Sequence, residues 1–217
     1  VSAGVAFDIS KAQATISPSV AAYFGDHVTA HAGNDIIIKA YHNYILDGSK
    51  RSEKANATAN ANGGSFLGAI GGAIVNALQT ADVKAYSGVG ANVTAGRDVL
   101  VLAYGNFDAY AHGDGNTGGV VGVGSVEVNA TTLGTVQAYL DSAASSPSTW
   151  TVGRNMTLDA LSTSAPEASS EQAAGGLVAG GGSIAKSKAT SLVKVYLGTS
   201  GGTFETVSGN IYLKGRI

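Results

Sequence analysis

The sequence predicts an all-β protein, a Gly/Ala-rich parallel β-solenoid (β-helix) of about four long repeats. Three observations predict it. A segment recurs at steps of 63, 53 and 57 residues, short runs inside it alternate small apolar with polar residues, and small side chains dominate the composition. The 217 residues are 44% hydrophobic but only 7% aromatic, with 31 glycines and single Trp and Met residues, Trp150 and Met156. Ala and Val in that proportion suit a thin core in which backbones approach closely. A thick core needs Leu and Phe to reach normal packing density.

Self-similarity at a fixed period is the signature of stacked architectures. Each copy carries one tyrosine at the same phase, namely Tyr23, Tyr86, Tyr139 and Tyr196. A triplet of Gly, then Asn or Arg, then Asp or Asn follows: Gly33-Asn34-Asp35, Gly96-Arg97-Asp98, Gly153-Arg154-Asn155 and, shortened, Gly209-Asn210. Each triplet separates two apolar runs and reads as a corner between strands. Glycine there is expected at positive φ, and the Asp or Asn is expected to bond its own backbone. Recurrence at one phase predicts two ladders, one of Asp35, Asp98, Asn155 and Asn210 and one of the four tyrosines. With three coils of about 19 residues per repeat, their steps would be ~14 Å apart at ~4.8 Å per strand, out of direct contact.

The strands follow from period two. Ile36-Ile37-Ile38 and Val99 to Ala103 are short apolar strands, whereas Ala55 to Ala61 and Val126 to Ala130 put one face on a core and one in water. Glycine tracts at Gly63–Gly72, Gly118–Gly124 and Gly175–Gly182 read as a closely packed wall, which also accounts for the G-x-x-x-G spacing of Gly64, Gly68 and Gly72. Polar stretches such as Gly48–Lys54 and Ser162–Glu167 read as loops that absorb length changes. No helix is predicted: the best candidate, Ala165–Ala174, contains Pro166 and runs into Gly175-Gly176. Residues 1–217 read as one continuous segment of a longer protein, with repeats at roughly 1–60, 61–116, 117–173 and 174–217, and with open strand edges at both ends.

Charge narrows the partners. Thirteen basic residues against fifteen acidic ones leave a net charge of −2, which is no footprint for nucleic acid. No segment suggests membrane insertion. The absence of cysteine excludes disulfides and thiolate metal sites, and it suits export through a narrow outer-membrane pore.

The phase of Val93-Thr94-Ala95-Gly96-Arg97-Asp98-Val99-Leu100-Val101-Leu102-Ala103 resembles the repeats of filamentous haemagglutinin-like and leukotoxin-type filamentous adhesins. Those are exported by type V secretion, commonly the two-partner route, and form long right-handed β-helices on the bacterial surface. The resemblance covers essentially the whole chain. It implies a structural shaft or adhesive segment at the cell surface, without catalysis and without a cofactor. Expected partners are neighbouring repeats, identical copies, and host or cell-surface glycans. Two other readings stay open: a self-assembling filament or matrix subunit, and a carbohydrate-binding or carbohydrate-cleaving β-helix that would use an aromatic such as Tyr104 or Tyr110.

Other motifs yield bland readings. Acidic residues are dispersed singly, whereas a glycan-cleaving site needs them clustered. His27 and His31, with Asp26 and Asp35 nearby, lie around a turn and do not share a helical face, so no metal site is expected. His42 and His112 have no partners in sequence, and His112 to Asn116 reads as a loop. Asn56, Asn92, Asn129 and Asn155 open N-x-T triplets, the pattern of glycosylation acceptors, but Asn-rich corners beside Thr-rich strands create such triplets by chance.

Overall fold

The computed structural model describes residues 4–198 and 207–217. Val1 to Ala3 and Thr206, which opens the fourth corner segment, lie outside them. The protein is all-β, with no helix among the described residues. A first pass of the chain forms β1 (Val5–Ile16), β2 (Ser19–Phe24), β3 (Thr29–Ala32), β4 (Ile36–His42) and β5 (Ala55–Gly64). A second forms β6 (Gly68–Ser87), β7 (Asn92–Ala95) and β8 (Val99–Gly118). A third forms β9 (Val121–Leu140), β10 (Thr149–Val152) and β11 (Met156–Gly175), and then come β12 (Val178–Leu197) and β13 (Ile211–Arg216).

Every strand pairing is parallel, and the strands fall into three sheets. Sheet A holds β1 and β2, then β6, β9 and β12; sheet B holds β3, β7 and β10; sheet C holds β4 and β5, then β8, β11 and β13. The chain visits A, B and C in that order and then begins again. Parallel pairing with cyclic order is consistent with a β-helix or solenoid.

The registers correct one expectation. Tyr23 pairs with Tyr86, Tyr86 with Tyr139 and Tyr139 with Tyr196, so consecutive copies are direct neighbours. One repeat is therefore one pass of 53 to 63 residues, not three coils of about 19. Each glycine tract straddles the turn from sheet C into sheet A, and β6, β9 and β12 then run for 20 residues past Gly72, Gly124 and Gly182. A glycine weakens an isolated strand but does not end one that is paired on both sides.

Length differences have definite places. The step to the next pass is 63 at β4 but 54 at β5, so residues 43–54 carry a nine-residue insertion. It is 53 at the end of β9 but 57 at β10, so the 141–148 loop carries four more. Gly48–Lys54 is a loop as expected, whereas Ser162–Glu167 is not: it lies inside β11. Pro166 lies within that strand, opposite Ala109 of β8.

Sheets A and C face each other across a core that tapers. Near sheet B the fully buried side chains are large, with Trp150, Phe107, Leu140, Met156 and Leu158 in one cluster. Toward the A–C turn they shrink to Ala57, Ala73, Val75, Ala111 and Val126 in a second cluster. Side-chain volume sets the distance between the sheets. The Ala-on-alternate-residues pattern of β5, buried and exposed by turns, therefore specifies the thin end.

Candidate functional site

The residues that recur at one phase lie at two places around the pass. The first is the corner between sheets B and C. Asp98 N–H donates to Asp35 Oδ1 at 3.1 Å, Asn155 N–H to Asp98 Oδ1 at 3.0 Å and Asn210 N–H to Asn155 Oδ1 at 3.0 Å. In return Ile36, Val99 and Met156 N–H donate to the carbonyls of Asp98, Asn155 and Asn210, each at 2.9 Å. The side-chain oxygen thus satisfies a backbone donor exactly one pass away, at a bend where the strand ladder is interrupted. The expected bond to the residue's own backbone is not what forms. Arg97 and Arg154 approach Asp35 and Asp98 at 3.4 and 3.7 Å from exposed positions, where ion pairs add little.

Glycine at this corner also has a different reason from the expected one. Gly33, Gly96, Gly153 and Gly209 are not at positive φ. A Cβ on Gly96 would run into the Gly33 carbonyl oxygen, and one on Gly153 into that of Gly96. The requirement is close approach between passes. Gly209 sits one residue out of phase, because Val152 bridges Val207 and sets Gly209 beside Arg154, while Asn210 keeps the phase of Asn155. Left-handed backbone occurs instead at the corner between sheets A and B, in His27 (φ 55°) and its counterpart Gly90 (φ 70°).

The second place is the outer face of sheet A near sheet B. The rings of Tyr23, Tyr86, Tyr139 and Tyr196 stack with centroids 5.0, 5.0 and 4.7 Å apart and planes within 12° of parallel. In-register parallel strands impose that stacking, and such pairs add about 0.5–1.5 kcal/mol each beyond area burial. Ring faces meet one another along the column. Burial, then the neighbouring Tyr196 and Tyr86 phenols, push the Tyr139 hydroxyl up to about 12.

Sequence reasoning missed three further contacts. Tyr41 stacks on Tyr104 at 5.1 Å with Tyr44 packed edge-on, each stacked tyrosine directly following an alanine, Ala40 or Ala103, at one phase of the repeat. Asp159, 6% exposed, accepts from Tyr104 Oη at 3.0 Å and from Arg216 at 3.1 and 2.5 Å. Burial, then this hydrogen bond, raise Tyr104 to about 12. Gln79, fully buried, joins the sheets: Asp108 N–H donates to its Oε1 at 2.6 Å, and its Nε2 lies 2.8 Å from His42 Nε2. His42 stacks on Phe107, and burial lowers its pKa. Nothing in sequence pairs residues 37 positions apart on facing sheets.

His27 lies at its corner with Nδ1 3.4 Å from Ser146 Oγ, and His31 lies on β3. No group of three or more His, Asp or Glu residues able to hold a metal occurs among the described residues. The stretch from His112 to Asn116 is strand within β8 rather than loop, and His112 Nε2 is 3.1 Å from the Asp114 carboxylate on the same face. Tyr110 has the Lys54 ammonium 4.6 Å over its ring and His112 stacked beside it. Tyr104, the other aromatic considered for a sugar, is stacked on Tyr41. No described helix is long and apolar enough to cross a membrane. No protein-family model, curated protein or solved structure matches the chain.

Proposed function

We propose that the chain is a segment of a closed parallel β-solenoid in which each of about four repeats makes one coil, and that it serves as a mechanical shaft or adhesive stalk of a secreted bacterial surface protein. The observation that carries this reading is the axial continuity of the columns. Tyr23 to Tyr196 and Asp35 to Asn210 run through successive passes without a break in register, beside strands paired along their full 20-residue length. Load along the stacking direction is shared among all those hydrogen bonds at once. Stability then accrues as a sum of nearest-neighbour terms, and passes can be added without redesign. No catalytic step is part of this role, and no cofactor is needed for it.

Cryo-electron microscopy of the purified chain tests the architecture. The expected particle is a flat slab about four spacings of ~4.8 Å deep along the stacking axis, with one repeat per spacing. A compact particle without that spacing would sink the solenoid. Protease shaving of intact source cells tests the location: a stalk at the surface loses this segment, and an intracellular protein keeps it.

A further inference from the structure

The part of sheet A's outer face next to the A–C turn is apolar in every strand apart from Ser125 on β9. Phe7 and Ile9 on β1 are each 72% exposed, Ile70 on β6 is 42% exposed and Val123 on β9 is 45% exposed. Leu67, Val120 and Leu177 continue the face around the turn, with Leu177 88% exposed. A soluble surface rarely leaves so large a contiguous apolar area open unless a partner covers it. From these exposures the face amounts to on the order of 1,000 Å² per copy, against the ~800 Å² per partner of a standard interface.

The register says what shape of partner fits. Column by column, Phe7 aligns with Ile70, Val123 and Gly180, and Ile9 with Gly72, Ser125 and Gly182. The face is high at β1 and low at β12. Consider a twofold axis parallel to the strands and midway between β6 and β9. It lays β1 on β12 and β6 on β9 of a second copy. Phe7 and Ile9 then meet Gly180 and Gly182, Val5 meets Val178 and Ile70 meets Val123. Large residues face absent side chains at both ends, and medium faces medium in the middle. Two wedges so related make a contact of even thickness, as stacked sheets ~10 Å apart require. One column further, Lys11 lies opposite Ile184 and beside Glu127 of the second copy, twice by symmetry, so a charge pair borders the apolar centre.

We propose that two copies of this chain pair side by side through the outer face of sheet A in that isologous arrangement. The pairing is lateral and closes at two, unlike end-to-end stacking of strand edges, which stays open. It does not depend on the surface-shaft reading: a folded rod that stays monomeric would overturn the pairing and leave that reading standing.

Sedimentation equilibrium across a dilution series tests it, with circular dichroism to check that each variant folds. The expected wild-type species is a dimer. Ile70→Lys and Val123→Glu, each at an exposed site, are expected to raise the dimer dissociation constant by at least about tenfold, as loss of a central contact does. The double variant Ile70→Lys/Val123→Glu sets opposite charges against each other across the axis and is expected to restore the dimer. A monomer at every concentration overturns the proposal. So does an assembly of open-ended size that the single variants leave intact. A third overturning result is a double variant that stays monomeric while wild type, but not the variants, floats with phosphatidylcholine vesicles, which would assign the face to a lipid surface.

Discussion

Phe107 illustrates how one side chain dictates others. It is fully buried between sheets A and C, and a Cβ on Gly105 or Gly134 would run into its ring. Gly134 is thus glycine for space, not for conformation. Gly134→Ala is expected to cost about 1–3 kcal/mol in urea unfolding, the usual range for overpacking. Adding Phe107→Leu should recover part of that loss, whereas two independent defects would simply add. The amide of Gln79 and the ring of His42 make a second residue-scale device. Burial lowers the His42 pKa from its ordinary 6.5, so the folded state holds fewer protons than the unfolded chain as pH falls through that value. The stability His42 contributes is complete above 6.5 and is lost as pH falls toward the depressed folded value. Urea midpoints at pH 7.5 and 5 are expected to fall further apart in the wild type than in His42→Gln.

At the scale of the element, the corner ladder replaces strand pairing where the strands bend. Asp98→Ala removes the acceptor for Asn155 N–H and is expected to cost about 1–3 kcal/mol, because a backbone donor loses its partner. Asp98→Asn keeps the oxygen, as Asn155 already does for Asn210, and should be close to neutral. The same corner marks what could be read in the sequence. The phase of Asp35, Asp98, Asn155 and Asn210 was visible because side chains that bond along a stack recur in the chain. The all-β class and the in–out alternation of Ala55 to Ala61 were legible from period two. The length of the pass was not. Glycine inside Gly118 to Gly124 or Gly175 to Gly182 carries the same letter whether it ends a strand or lets a facing sheet approach, and only pairing decides. His27 hid its left-handed backbone because its counterpart is Gly90, so the two share no residue type.

At the scale of the whole molecule, β6, β9 and β12 pair residue for residue over 20 positions, which makes one pass exchangeable. Deleting residues 121–177 joins Val120 to Val178, the residue paired with Val121, and so removes one full pass in phase. The shortened chain is expected to keep its circular dichroism spectrum and to lose ~4.8 Å of axial length by small-angle scattering. Deleting half as much should abolish cooperative unfolding, because sheet A residues would then face sheet C partners. Shape has a mechanical corollary. Strands of 20 residues give a section roughly 66 Å broad, while the facing sheets stand only ~10 Å apart at the thin end. In the proposed solenoid, many such passes stacked would form a beam with very unequal second moments of area. It resists flexure edgewise, yields readily across its flat, and under sideways flow would turn to offer its narrow profile.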